Sequence, residues 1–235
     1  MPSILIAFLL LLQQPVLVQP GPPVLIVSGS SSVMAAPDQA TVRLGIVRQA
    51  PVAQTAQEQA NTAAQEILNA VQRTGVPANQ IQTARLVLSP IYAPRGPDSR
   101  DAPRIVAYNA TNSISIRLTN LSIVGAVIDA GLKAGANQLE GVFFGLRNDL
   151  PSRQQALKQA VEEARSKAET IADALRVNLA EVLEVSEGGV SIVDRVEPLM
   201  MSRAMAAAVP ETPVSPGQIE VRANVAIRYR ITPKP

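Results

Sequence analysis

Hydrophobic and polar positions alternate most clearly near the C-terminal end of the chain. Ile219, Val221, Ala223, Val225, Ile227, Tyr229 and Ile231 interleave with Glu220, Arg222, Asn224, Arg228 and Arg230. A period of two sustained over this length predicts a strand with one buried face. The same period places Ala40, Val42, Leu44 and Ile46 on one face, with Thr41 and Arg43 on the other, until Pro51 ends the run. Val24 to Val27 reads as a short β-rich run. Ile81 to Tyr92 reads as a strand with Leu86 and Leu88 inward. Ile105 to Leu118 reads as a long strand with Asn112, Ile114, Ile116 and Leu118 in phase. Gln138 to Arg147 and Ala180 to Val193 complete the strand pattern.

Between these runs the period lengthens to that of a helix. Ala56, Ala60, Ala64, Leu68 and Val71 form one apolar stripe in Ala53 to Thr74; Gly75 stands where a left-handed cap is wanted, and Pro77 prevents continuation. Leu121 to Ala134 is a short amphipathic helix, and Ser152 to Leu175 is the longest. Asp149 or Ser152 suits the cap of that last helix and Pro151 its first turn. The pattern predicts an α+β fold: mainly antiparallel sheet with about three helices packed on it. The final strand reads as internal to its sheet, although an edge position there or at Val24 to Val27 would offer unpaired backbone groups to another chain.

An internal echo runs at an offset of 100 residues. Val42, Gly45, Pro51, Gln54, Ala56, Gln59, Ala60 and Ala64 recur as Val142, Gly145, Pro151, Gln154, Ala156, Gln159, Ala160 and Ala164. Each copy is a strand, a proline, then a helix with alanine at every fourth position. Such a ridge is flat and lets a helix lie close on a sheet. The two segments are expected to share a local architecture.

The glycines of "GANQLEGVFFGLRND" invite a phosphate-loop reading. A phosphate loop needs strand, glycine-rich turn and helix N-terminus in that order. Here Gly135 follows a helix and fits its C-terminal cap. Gly141 and Gly145 fall within a strand, where they permit close approach or a bulge. No Gly-Lys-Ser/Thr follows.

Composition narrows the chemistry. The chain contains no His and no Cys. That excludes thiol nucleophiles, imidazole bases, Ser-His triads and the usual zinc sites, and leaves carboxylate- or lysine-based catalysis. Lys and Arg number 21 against 19 acids, without a dense basic run, which gives nucleic-acid binding no support. Aromatic residues are only 3%, so the core must be built from Ala, Val, Ile and Leu. The N-terminal "ILIAFLLLL" suits the core of a secretory signal and is too short to span a membrane. It places a signal at residues 1–20, with cleavage between about Gln19 and Gly29, and a working site outside the cytoplasm.

The candidate clusters are few. Asp98 and Asp101 lie in the Pro-rich connection Ala93 to Pro103 and read as a solvated loop. Lys158 and Glu162, Glu163 and Lys167, and Arg165 and Glu169 have the spacing of helix-surface ion pairs. Met200, Met201 and Met205 fall in the irregular segment 197–216; thioethers favour copper(I), but a flexible packing surface explains them better. Tyr92, Arg95 and Arg100, with these methionines, form the candidate surface for a ligand or partner. No catalytic, cofactor or metal residues are assigned.

Several segments together resemble one family. "VSGSSSVMAAPDQATVRLGI", "IQTARLVLSPIY", "YNATNSISIRL", "VIDAGLKAGANQLEGVFFGL", "ALKQAVEEARSKAETIADAL" and "PVSPGQIEVRANVAIRYRI" follow the order of SIMPL-domain proteins, the domain of unknown function 541. The resemblance covers about Val24 to Ile231. It implies one α+β domain over 24–231 in an exported envelope protein. Members include periplasmic immunogenic and oxidative-stress defence proteins, and at least one assembles into a ring-like homo-oligomer. No agreed catalytic residues exist to transfer. The expectation is a non-enzymatic, self-associating periplasmic or secreted protein, outer-membrane association included, without a cofactor, nucleic-acid partner or membrane span in the mature chain. The alternatives are a module that binds a small ligand or an envelope protein and, more weakly, a carboxylate-only hydrolase.

Overall fold

The computed structural model describes residues 21–94, 102–194 and 212–234. Among them are seven strands: β1 (Val24–Ala35), β2 (Gln39–Ala50), β3 (Ile81–Tyr92), β4 (Ile105–Leu118), β5 (Gln138–Gly145), β6 (Val177–Asp194) and β7 (Ile219–Pro233). The helices are α1 (Ala53–Arg73), α2 (Val124–Lys133) and α3 (Leu150–Leu175). Two antiparallel sheets result, one of order β3-β4-β2-β5 and one of order β1-β7-β6. The expected α+β class with mainly antiparallel sheet is therefore the observed one.

Each sheet has its own core. Ala40, Val42, Leu44 and Ile46 of β2 and Ile114, Ile116 and Leu118 of β4 pack under α1 and α2. Val221, Ala223, Val225, Ile227 and Tyr229 of β7 pack under α3. These are the faces the period-two patterns mark, and Asn112 is buried in phase with its strand as expected. Both helices named in the echo bury their alanines: Ala56, Ala60 and Ala64 in α1, and Ala156, Ala160 and Ala164 in α3.

The echo has a geometric counterpart. β2 and β5 are antiparallel neighbours, and Val42 stands opposite Val142. The N–H of Asp38 donates to the Gly145 carbonyl at 3.1 Å, and that of Asn137 donates to the Gly45 carbonyl, also at 3.1 Å. Gly45 faces Gln138, and Gly145 faces Gln39. The two strand–helix units are thus related by a local two-fold through the valine pair. They differ in where the helix goes: α1 returns onto the sheet of its own strand, whereas α3 crosses to the other sheet.

Two glycines set the approach of helix to sheet. A Cβ at Gly29 of β1 would lie 2.0 Å from the Ala160 carbonyl oxygen and 2.7 Å from the Ala164 nitrogen. A Cβ at Gly131 of α2 would lie 2.2 Å from Leu44 Cδ1. The first obstacle is backbone, the second a side chain that can change rotamer.

Several expectations need correction. Leu86 and Leu88 are not inward: they are 57% and 44% exposed. Their register opposite Asn112 and Ala110 puts them on the helix-bearing side, but β3 is an edge strand and the helices do not cover it there. In α1 the stripe is completed by Ala63, Ile67 and Ala70, while Leu68 is only partly buried. Neither Asp149 nor Ser152 caps α3. Asp149 is at the N-cap but makes no capping bond; its carboxylate accepts from Arg153 Nε at 2.7 Å. Asn148 Oδ1 accepts from the Leu150 N–H instead. β1 runs on through the serines to Ala35, beyond the Val24 to Val27 run. Gly135 does follow α2 with φ 110°, and Gly141 lies at a register shift in the β2–β5 pair, as expected of a cap and a bulge.

Polar ties join the units. The Asp38 carboxylate takes the Arg147 N–H at 2.6 Å, and this bond holds its pKa below the ordinary carboxylate value. Asp129 of α2 accepts from the Thr212 hydroxyl at 2.6 Å, with the same effect. Glu163 of α3 accepts from Lys167 and from the Ser30 N–H of β1, and its pKa is likewise lowered, chiefly by Lys167. All three carboxylates favour the charged form in the native state, so the unfolded chain binds more protons as pH falls.

Two outcomes are expected. Gly29→Ala should lower stability by about 1–3 kcal/mol or more, and Gly131→Ala by less, read as urea midpoints. Stability should also decline as pH drops through and below the ordinary values of 3.8 for the aspartates and 4.5 for the glutamate. The triple variant D38N/D129N/E163Q should show a shallower decline in the same titration.

Candidate functional site

An uncovered apolar strip lies beside α3. The alanine ridge of α3 is narrow, and it covers β1 and β7 while leaving β6 to one side. Val182 and Val185 of β6 pair with Tyr229 and Ile227 of β7, so they belong to the helix-bearing face. They are nevertheless 53% and 58% exposed. Ile192, further along β6, is exposed as well.

A groove of about 560 Å³ forms between α3 and the first half of β6. Its floor includes Tyr229, Leu179 and Ala172, and its wall carries Arg165, Glu169 and Asp173. The Arg165 guanidinium is 2.8 Å from Glu169, a bond that raises its pKa further and keeps it charged. Lys234 meets Asp173 at 2.9 Å. The charges at the rim thus neutralise one another, and the apolar floor is what remains to be covered.

Among the described residues no strand pairs with the outer edge of β6. In the order β1-β7-β6 it pairs only with β7, and three register shifts interrupt that pairing. Unpaired backbone donors and acceptors at an edge are a template for another strand. β1 is the opposite edge, whereas β7 is central, as its pattern suggested. Arg228 and Arg230 on the helix-free face pair with Glu184 and Glu181 of β6.

The same face holds a buried carboxylate that the sequence did not single out. Glu220 is 4% exposed. It accepts from the Ser32 hydroxyl of β1 at 2.5 Å and from Arg222 in a two-point contact at 2.9 Å and 2.9 Å. The cue in the sequence is an acid two residues before an arginine on one face of a strand. This group fixes β1 against β7 and has the fork geometry of a structural ion pair.

The residues expected to form a ligand surface are only partly placed. Tyr92 lies exposed at the end of β3, where the Ala93 N–H donates to the Arg104 carbonyl at 2.9 Å and closes the hairpin. Arg95, Arg100, Met200, Met201 and Met205 lie outside the described residues, as do Asp98 and Asp101. The three helix-surface ion pairs are all formed: Lys158–Glu162, Glu163–Lys167 and Arg165–Glu169. Among the described residues no three acids converge in a way that could hold a metal ion. No helix among them is long and apolar enough to cross a membrane.

Two antiparallel sheets, one under α1 and α2 and the other under α3, define an α+β protein. Residues 25–229 match the SIMPL family, described as a protein of unknown function (DUF541). The chain belongs to this family. It is 32% identical over 212 residues to a 26 kDa periplasmic immunogenic protein of Brucella melitensis, covering 87% of this chain and 83% of the relative. It is 28% identical over 167 residues to the uncharacterized protein YggE of Escherichia coli, covering 71% and 66% of the two chains. A YggE protein of Edwardsiella ictaluri is 28% identical over 166 residues.

Replacing Glu220 with alanine should cost about 1–3 kcal/mol, because Arg222 and the Ser32 hydroxyl lose their acceptor. The thermal or urea midpoint of Glu220→Ala against its parent measures this.

Proposed function

We propose that this is a non-enzymatic, self-associating periplasmic protein that contributes to envelope organisation or stress protection by presenting a repeated surface. The observation that carries the reading is β6: an edge that no described strand pairs, with Val182 and Val185 exposed on the face that a helix would ordinarily cover. A second chain seated there would bury these side chains and pair the edge in one step. The absence of His and Cys removes the commonest catalytic groups, and the periplasmic name of the Brucella relative supports the compartment.

A second reading is a binding module for a small ligand or an envelope partner. The groove of about 560 Å³ beside α3 favours it, being within the range of small-molecule sites.

Light scattering behind a sizing column separates the two. The chain expressed from Gly21 onward should run as a single species several times heavier than a monomer of about 23 kDa, as scaled from chain length. Val182→Lys with Val185→Lys should return it to the monomer while circular dichroism stays that of a folded protein. A parent protein that is monomeric across its concentration range sinks the assembly reading and leaves the groove as the functional surface.

A further inference from the structure

The helix-free face of the four-stranded sheet carries an uncompensated positive charge. Alternation along the strands puts Arg43 of β2, Arg117 of β4 and Arg85 of β3 on this face, since their neighbours Leu44, Ile116 and Leu86 point to the helix side. All three arginines are exposed. Among the described residues, none of them is paired with a carboxylate. The other sheet offers the contrast: its helix-free face also carries three arginines, Arg222, Arg228 and Arg230, and each meets a glutamate of its own sheet.

Among the described residues the acid that meets this face is Glu140, and one carboxylate cannot serve all three cations. Glu140 sits at the β5 bulge, and its carboxylate crosses Gly45 to accept from the buried Ser113 hydroxyl of β4. Among the described residues, three arginines and one carboxylate leave this face a net charge of two. Arg43 is held in place: its guanidinium lies over the Phe143 ring, 4.9 Å from the centroid, and that ring rests on Gly141. Sheet spacing sets the three Cα atoms about 8 to 14 Å apart. Neutral hydrogen-bonding groups fill the ground between them: Thr41, Ser115 and Thr111 hydroxyls and the Gln82 amide.

We propose that this face binds an anionic polysaccharide. The cations are spaced, not clustered, and so match a chain that carries its charges at intervals. The hydroxyl and amide groups between them match sugar hydroxyls. A membrane surface fits less well, because hydroxyls and an amide lie between the cations and the exposed aromatic ring beside them, Phe143, is covered on one side by Arg43. Binding would draw on counterion release and fall with added salt. The proposal goes beyond the assembly reading and uses the other sheet.

Dextran sulfate is the probe, with neutral dextran of equal length as the comparison, titrated against the mature chain by affinity electrophoresis. The parent should be retarded by dextran sulfate at low salt and not by neutral dextran. R43Q/R85Q/R117Q should lose about tenfold or more in affinity, the sum expected of three exposed charge contacts. R147Q/R153Q/K158Q removes the same charge from paired positions elsewhere and should lose far less. The single variants, each with an unchanged melting temperature, should show intermediate losses. Equal losses in the two triple variants, retardation by neutral dextran, or binding to phosphatidylglycerol vesicles without binding to dextran sulfate would each overturn the proposal. The solution mass of R43Q/R85Q/R117Q should match its parent, so that failure here and failure of the assembly reading remain distinguishable.

Discussion

The structure depends on how closely small side chains can bring a helix to a sheet. With aromatic residues at 3%, the cores have few large rings to span a gap, Tyr229 in one and Tyr108 and Phe144 at the margin of the other. A buried alanine removes little area from water, so its contribution is realised only at short range. Ala156, Ala160, Ala164, Ala168 and Ala172 are all buried on α3, and Gly29 lets the backbone of β1 lie directly beneath two of them. Polar contacts then fix the distance: the Ser31 hydroxyl donates to the Ala156 carbonyl at 2.5 Å, and Lys167 donates to the Ser28 carbonyl at 3.1 Å. A narrow ridge held this low covers β1 and β7 and reaches β6 only in part. The bare face of β6 therefore follows from the same constraint that builds the core.

Charge is distributed as unevenly as cover. In the three-stranded sheet the arginines of β7 are answered by glutamates on β6 and on β7 itself. Such exposed pairs add little stability, but they leave that surface electrically quiet. In the four-stranded sheet the cations stand among hydroxyls with one carboxylate, itself engaged. The two sheets are thus suited to different encounters, one through apolar side chains and a free edge, the other through long-range attraction.

Much of this could be read from the chain, and the failures share a cause. Period two found the buried faces of β2, β4 and β7, because alternation records which side of a strand meets the core. It failed at Leu86 and Leu88, because alternation does not record whether a helix extends over that part of the face. The serines at Ser30, Ser31 and Ser32 hid the second half of β1, where their polar atoms are spent on α3 and on Glu220. Alanine spacing found both ridges and the echo found two like units, yet nothing local told α3 to cross to the other sheet. The groove beside α3 was invisible for the same reason: it is defined by where a helix stops. Of the expected surface residues Tyr92 lies in the described structure, and the other five lie outside it.

The pairing of β1 with β7 brings Val24 opposite Arg230. The three-stranded sheet is therefore closed by the first and last described strands, β1 and β7. A ribosome delivers the first of these strands long before the last. Until β7 emerges, β1 has no partner in its own sheet and α3 has no complete floor. Such a topology has high contact order and folds late, after the four-stranded half can already have formed. For much of its synthesis the polypeptide carries an orphaned N-terminal strand, whose safety depends on its serines, on other proteins that shield it, or on speed.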